Sequence, residues 1–86
     1  MDDREIAEVF TGITNSDDMQ RFFEEILTSK EREALALRWQ LLKELNEGET
    51  QRSIAARHRI SLCKITRGAK LIKDTGSFVY ALLNQE

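Results

Sequence analysis

The 86-residue sequence predicts an all-α fold, a small multi-helix domain without a sheet. Apolar residues recur three and four positions apart along nearly every segment, and no stretch alternates apolar and polar residues as a half-buried strand does. The chain also lacks proline, which would interrupt helices. A chain of this length forms one domain at most, so we expect residues 1–86 to fold as a single domain.

Two amphipathic stripes predict the first two helices. The first helix ends within residues 12–15, where Gly, Thr and Asn are poor helix formers. Ser16 or Asp17 can cap the second helix. The residues assigned to inward faces are Ile6, Val9, Phe10 and Ile13 of the first helix and Met19, Phe22, Phe23 and Ile26 of the second.

A long third helix is predicted from about Ser29 to Asn46. Thr28 followed three residues later by Glu31 is a capping-box pattern that opens it, and Gly48 provides a left-handed stop after it. Its inward residues are Ala34, Leu37, Leu41, Leu42 and Leu45.

Three shorter helices are predicted after the long one: about Gln51 to His58, Leu62 to Lys73 and Ser77 to Asn84. The last of them contains the run FVYALL (78–83), which is apolar on most sides. Such a helix leaves little polar surface for an exposed position, so we expect it in a core or against a second subunit. Of the two, we favour the second subunit.

Charge is distributed very unevenly along the chain. Residues 1–49 carry six Lys and Arg against thirteen Asp and Glu, whereas residues 50–73 carry seven Lys and Arg and no acidic residue. The formal net charge of −2 hides this basic segment. Because salt screens charges beyond about 10 Å, the segment attracts polyanions locally or forms a solvated basic surface.

The basic segment has the pattern of a helix-turn-helix between Gln51 and Lys73. A small residue, Ala55, allows the two helices to approach closely. Arg59 occupies the turn position that is usually glycine, so we expect a left-handed backbone there at a cost of about 1 kcal/mol. The residues assigned to the inner face are Ile54, Ala55, Ile60, Leu62, Ile65, Ala69 and Ile72.

The outer face of the second of these helices then carries four cations with no acidic neighbour. Such a helix fits the major groove of double-stranded DNA, where Lys and Arg pair with phosphates or guanine edges, while Thr66 and Cys63 touch bases. Gln51 and Arg52, at the start of the preceding helix, face the DNA backbone. The predicted DNA-binding residues are Gln51, Arg52, Cys63, Lys64, Thr66, Arg67, Lys70 and Lys73.

Several other classes of protein are disfavoured. A single cysteine cannot form an internal disulfide, and Cys63 with His58 cannot supply the four ligands of a structural zinc site, so we expect no metal. Cys63 and His58 could suggest a nucleophile and its base. They lie on different helices, however, and no third group orients the imidazole, so we expect no enzymatic activity. Because no long apolar run or basic leader is present, we expect a cytoplasmic protein without a membrane partner.

Two stretches resemble the Trp repressor superfamily. They are LTSKEREALALRWQLLKELNEGE (27–49) and QRSIAARHRISLCKITRG (51–68), and the final ITRG is close to a signature of that family. The chain is similar to the shorter members, which lack a long N-terminal arm. The resemblance implies an intertwined homodimer that places two recognition helices in successive major grooves of a palindromic operator and acts as a transcriptional repressor.

The resemblance also implies a ligand site for L-tryptophan or a related small molecule acting as a corepressor. Two arginines hold the indole in tryptophan-responsive members, and here they match Arg38 and Arg67. Gly68 matches the position that lets the ligand approach the backbone, while Leu27 and Thr28 match the segment whose carbonyls hold the ligand's amino group. A serine that helps hold that group in some members is Leu71 here, and the loop GETQR is one residue shorter. A leucine cannot accept the hydrogen bond, so ligand-independent regulation stays open.

Other interpretations also stay open. The stretch LTSKEREALALRW followed by a helix-turn-helix is similar to the last region of sigma factors and of response regulators, although the ITRG and the unbroken long helix favour the repressor. A protein-interaction module, docking through the acidic N-terminal half and the apolar last helix, is the alternative from another class. Arg38 could instead form an ion pair with a glutamate of the second helix, and Arg67 could contact a phosphate.

Overall fold

Within residues 2–85, the part of the chain that the computed structural model describes, six α-helices and no strand are present. This confirms the all-α class. The helices are α1 (Arg4–Gly12), α2 (Ser16–Ile26), α3 (Ser29–Asn46), α4 (Gln51–His58), α5 (Cys63–Lys73) and α6 (Phe78–Leu83). The bounds of α3 and α4 are the predicted ones, whereas α5 and α6 each begin one residue later than predicted and α6 also ends one residue earlier.

The chain divides into two compact units, Met1–Ala34 and Leu35–Glu86, with the boundary inside α3. In the first unit, the ring of Phe10 on α1 meets Phe22 and Phe23 on α2 edge to face, with centroids 5.7 and 5.8 Å apart. Such edge-to-face contacts are favoured by the charge distribution of aromatic rings. They hold α1 against α2.

Capping fixes the helix starts in the first unit. The cap of α2 is Asn15, whose side chain accepts a hydrogen bond from the Asp18 amide at 2.8 Å, so the prediction of Ser16 or Asp17 was wrong. Asn15 is the last residue with extended backbone, which is the conformation that a cap requires. The predicted capping box is confirmed, because Thr28 and Glu31 exchange hydrogen bonds of 2.9 and 3.2 Å.

Within residues 2–34 no side chain is fully buried. Four residues that we assigned to inward faces are exposed, because the helices of this unit cover one another only in part. They are Val9, Phe10, Ile26 and Ala34.

The core of the second unit lies where α3, α4 and α5 meet. Leu41, Ile54 and Ile65 form it, and the two isoleucines are fully buried. Leu37, Leu45, Ala55 and Ile60 pack partly buried around it, as the apolar spacing predicted, and Ala69 is buried on the same side of α5.

Helix α6 contacts α5 and is tied to the unit by polar contacts at both ends. At its start, the Ser77 hydroxyl accepts from the Tyr80 amide at 3.1 Å and donates to the Leu71 carbonyl at 2.8 Å. At its end, Asn84 and Asn46 of α3 exchange side-chain hydrogen bonds of 3.0 and 3.3 Å. Phe78 nevertheless leaves 76% of its surface exposed. In the described part of the chain, none of the helices combines the length and apolarity needed to cross a membrane.

Candidate nucleic-acid interface

Helix α4 is short, and local interactions set both of its ends. The Thr50 hydroxyl accepts a hydrogen bond from the Ser53 amide at 3.1 Å, which satisfies one of the free donors at the helix start. Arg59 ends the helix in a left-handed conformation with φ 56° and ψ 47°, as its turn position predicted. The amide of Ile60 then donates to the Ala55 carbonyl at 3.1 Å, which turns the chain towards α5.

Helix α5 packs against α4 through one side only. Ile65 is fully buried and Ala69 nearly so, because these two residues lie four apart and therefore share a face. The opposite side is exposed over the whole length of the helix. Its exposed residues are Cys63, Lys64, Thr66, Arg67, Lys70 and Lys73, the six that we assigned to this side.

Leu62, which we predicted on the inner face, is 45% exposed, so that prediction was wrong. The residue immediately precedes the first residue of α5. Its carbonyl accepts hydrogen bonds from the amides of Ile65 and Thr66 at 2.9 and 3.1 Å, so its backbone already follows the helix.

The start of α4 presents the other two predicted contact residues. Arg52 is exposed, and Gln51 is half-buried. Free amides and the helix dipole at this end favour an anion such as a phosphate.

A cluster of charged side chains between α3 and α4 was not predicted from the sequence. Glu44 of α3 is only 3% exposed, and it accepts hydrogen bonds from Gln40 at 2.8 Å and from Arg57. Its Oε2 also lies 2.8 Å from Nε2 of His58. Arg57 binds Glu49 as well, with Nη1 2.9 Å from Oε2. A glutamate three residues after the buried Leu41 was the available signal, since it falls on the apolar stripe of α3.

The cluster keeps both glutamates ionised. Burial alone would raise the pKa of Glu44, but hydrogen bonds from Gln40 and His58, together with the nearby charges, lower it below its usual value of 4.5. The hydrogen bond from Arg57 lowers the pKa of Glu49 in the same direction, while the pKa of Arg57 is raised chiefly by Glu49.

This pairing removes one cation from the basic segment. Arg57 is neutralised by two glutamates, so it is not available to an external anion. The other six cations of the segment are exposed and form no ion pair within residues 35–85. They are Arg52, Arg59, Lys64, Arg67, Lys70 and Lys73.

Two of the candidate ligand residues lie in the first unit. The Leu27 carbonyl accepts a hydrogen bond from the Arg32 guanidinium at 2.9 Å, and the Thr28 carbonyl accepts from the Arg32 amide at 3.0 Å. A carbonyl oxygen has two lone pairs, so each retains one further acceptor position.

The other three candidates lie in the second unit. Arg38 and Arg67 are exposed, and neither forms a hydrogen bond or ion pair with another side chain of residues 35–85. Gly68 has a packing role that needs no ligand, because a Cβ there would lie 3.2 Å from Leu42 Cδ2 and 3.3 Å from Leu45 Cδ1. Arg38 is exposed although it lies beside the apolar stripe of α3.

This is a small all-helical protein in which one exposed helix carries a row of unpaired cations. Such a surface is suited to binding a polyanion. The model of the family described as Trp repressor protein matches residues 4–86, and the chain therefore belongs to that family, which consists of repressor-type regulators. This confirms the resemblance drawn from the sequence.

Two relatives support the same family membership. A Trp operon repressor homolog from Xylella fastidiosa is 41% identical over 70 residues, which cover 80% of this chain and 76% of the relative. A Trp operon repressor homolog from Chlamydia trachomatis is 35% identical over 69 residues, covering 79% of this chain and 73% of the relative. No solved structure gives a significant match.

Proposed function

We propose that this chain is a sequence-specific transcriptional repressor that binds double-stranded DNA through a helix-turn-helix formed by α4 and α5. The observation that carries the proposal is the exposed side of α5, where Lys64, Arg67, Lys70 and Lys73 stand free of acidic partners. Membership of a family of repressors supports it independently.

In this proposal α5 lies in the major groove. Its cations pair with phosphates or guanine edges, and its remaining exposed residues, Cys63 and Thr66, meet base edges. Gln51 and Arg52 at the start of α4 bind the backbone and fix the orientation of α5. Arg57 has no part in it, because Glu44 and Glu49 hold its guanidinium.

The acting species in this proposal is a homodimer on a palindromic operator. One chain buries few large residues, and exposed apolar side chains occur on α1, α2, α3 and α6. A second copy that covers them would also supply a second α5, and two such helices match two half-sites one helical turn apart.

Substitution of two cations on α5 tests the interface. We expect Lys64→Ala combined with Arg67→Ala to abolish binding to a DNA selected from a random pool by the wild-type protein, because both cations leave the groove-facing side. Fluorescence anisotropy measures the binding, and circular dichroism and sedimentation should show unchanged helicity and mass.

The matched control is Lys30→Ala combined with Lys43→Ala, which removes the same charge from exposed positions on α3. This control should retain DNA binding. Retained binding by the α5 variant, or equal losses in both variants, would contradict the assignment of α5.

Salt dependence separates DNA binding from a protein-docking role. A dimer that makes six to ten phosphate contacts should lose about 10³-fold or more in affinity between 50 and 200 mM salt, because bound counterions are released. A largely apolar protein interface would change little over this range.

For the corepressor we propose L-tryptophan, which the names of the relatives suggest. Arg38 and Arg67 are the residues that would hold the indole, and their guanidinium groups carry no ion pair within residues 35–85. Leu71 stands where some family members have a serine, so one acceptor for the ligand's amino group is lost and we expect weaker binding than in those members.

Isothermal titration calorimetry with L-tryptophan tests this assignment. Wild-type protein should give a binding heat that Arg38→Ala removes, whereas Arg52→Ala, which changes an exposed arginine outside the proposed site, should preserve it. Absence of heat from the wild type would leave a repressor that does not respond to tryptophan.

A further inference from the structure

The exposed side of α5 is not uniformly cationic at its start. Leu62 is 45% exposed, and Cys63 and Thr66 beside it are exposed as well. The Thr66 hydroxyl donates its hydrogen to the Leu62 carbonyl at 3.1 Å. Thr66 therefore presents a methyl group and an oxygen that can only accept, and it offers no donor to a ligand.

These residues lie next to one another on the helix. Leu62 has helical backbone angles of φ −60° and ψ −31°, so the geometry of α5 extends back to it. Residues four apart share a face of a helix, which places the Leu62 and Thr66 side chains side by side, with Cys63 three residues before Thr66. We call Leu62, Cys63 and the Thr66 methyl the apolar strip.

Cations frame the apolar strip. Lys70 and Lys73 continue the Thr66 side of the helix towards its end, and Lys64 and Arg67 flank the strip on the other side. No acidic residue occurs between residues 50 and 73. An apolar protein partner would have to desolvate these cations without pairing them, whereas DNA pairs them with phosphates.

Only one feature of the major groove matches an exposed leucine. Base edges there present hydrogen-bond donors and acceptors, except for the C5 methyl group of thymine, which is apolar. A leucine side chain cannot make a hydrogen bond, so among the base pairs it distinguishes thymine by contact with that methyl.

We propose that Leu62, supported by the Thr66 methyl, is a specificity-determining residue that contacts a thymine C5 methyl in each half-site. This inference rests on the proposed DNA-binding function. It assigns to Leu62 a role in sequence discrimination at thymine, whereas cations that pair with phosphates supply affinity that depends little on sequence.

The test uses the DNA that the full-length protein selects from a random pool. Each thymine of that DNA is replaced in turn by deoxyuridine, which lacks only the C5 methyl. At one thymine per half-site, the wild-type affinity should fall about fourfold, the value expected for one methyl group removed from an apolar contact. With Leu62→Ala, the same replacement should leave the affinity unchanged.

Lys70→Ala is the control for a change in the cationic frame. This variant should bind every DNA more weakly and with a smaller salt dependence, yet keep the full penalty for deoxyuridine. Leu62→Gln, which keeps a long side chain but loses its apolar end, should also remove the penalty if Leu62→Ala does not fold.

Three results would overturn this inference but not the proposed function. The first two are DNA binding without a deoxyuridine penalty at any position, and a penalty of the same size in wild type and Leu62→Ala. The third is a change in the oligomeric mass of Leu62→Ala on sedimentation, because Leu62 would then belong to a subunit contact. Failure to enrich any DNA from the pool would instead contradict the proposed function.

Discussion

At the scale of single residues, Glu44 stands out because a buried carboxylate is costly unless its partners compensate for lost hydration. Gln40, Arg57 and His58 provide that compensation, and the contacts of Arg57 and His58 with Glu44 join α4 to α3. The same cluster pairs one arginine of the basic segment, Arg57, with carboxylates. Glu44 therefore acts on the candidate interface through Arg57.

The cluster predicts a specific dependence of stability on pH. Since the pKa values of Glu44 and Glu49 in the folded protein lie below 4.5, their contribution is fully present above pH 4.5 and is lost as the pH falls through the lowered values. We expect Glu44→Gln to lower the free energy of unfolding by about 1 to 2 kcal/mol at pH 7 through loss of charged hydrogen bonds.

Urea unfolding at a fixed protein concentration, from pH 7 to pH 3, measures this effect. The difference between wild type and Glu44→Gln should shrink as the pH falls from 4.5 through the lowered pKa of Glu44, because the protonated glutamate then resembles glutamine. A difference that grows as the pH falls below 4.5 would contradict the assignment of an ionised, partnered Glu44.

At the scale of helices and turns, the backbone at Arg59 connects the two elements of the candidate interface. A left-handed conformation costs a residue with a Cβ about 1 kcal/mol, whereas glycine adopts it freely. Arg59 takes it because α4 and α5 must cross within the four residues 59–62.

We expect Arg59→Gly to be more stable than Arg59→Ala by about 1 kcal/mol, because both variants lose the cation and only glycine relieves the backbone. Thermal unfolding followed by circular dichroism measures the difference. Equal midpoints for the two variants would show that the turn is not strained in solution.

Much of the element structure followed from local sequence. The capping box at Thr28, the left-handed residue at Arg59 and the bounds of α3 and α4 depend on residues a few positions apart, so patterns revealed them. The exposed side of α5 followed from the spacing of Ile65 and Ala69. These features were predictable because their causes lie within one or two helical turns.

What was missed depends on residues distant in sequence. Whether Leu62 is covered depends on which helix ends lie beside it, and its spacing fitted the inner stripe equally well. Arg57 meets Glu44 thirteen residues earlier, so counting charges along the chain overstated the free cations by one. The packing of Gly68 against Leu42 and Leu45 of α3 was missed for the same reason, because these two leucines lie far earlier in the sequence.

At the scale of the whole molecule, the apolar surface exceeds what one chain covers. The unit Met1–Ala34 has no fully buried side chain among residues 2–34, although α1 and α2 carry Val9, Phe10 and Ile26. In the unit Leu35–Glu86, Leu35, Trp39, Phe78 and Leu82 remain between 42% and 76% exposed. Leu35 and Trp39 lie four residues apart on α3, and Phe78 and Leu82 four residues apart on α6, so each pair shares a helix face. Contiguous exposed apolar surface of this kind marks contact sites between proteins.

We therefore expect the protein in solution to be a dimer of about 20 kDa, twice the 10.0 kDa chain. Because folding is then coupled to association, the unfolding midpoint should rise with protein concentration. Sedimentation equilibrium and thermal unfolding between micromolar and hundred-micromolar protein measure the two effects.

Phe78→Ser provides the sharpest form of this test. A side chain that is 76% exposed contributes little to the stability of a single chain, so its replacement should leave a monomeric protein almost unchanged. In a dimer that covers Phe78, the same change removes an aromatic ring from the interface and should weaken association by at least about tenfold.

Asp74→Asn, at an exposed position before α6, serves as the control and should leave the dimer intact. A Phe78→Ser protein with the mass and unfolding midpoint of the wild type would exclude α6 from the subunit contact, and a monomeric wild type would contradict the dimer itself.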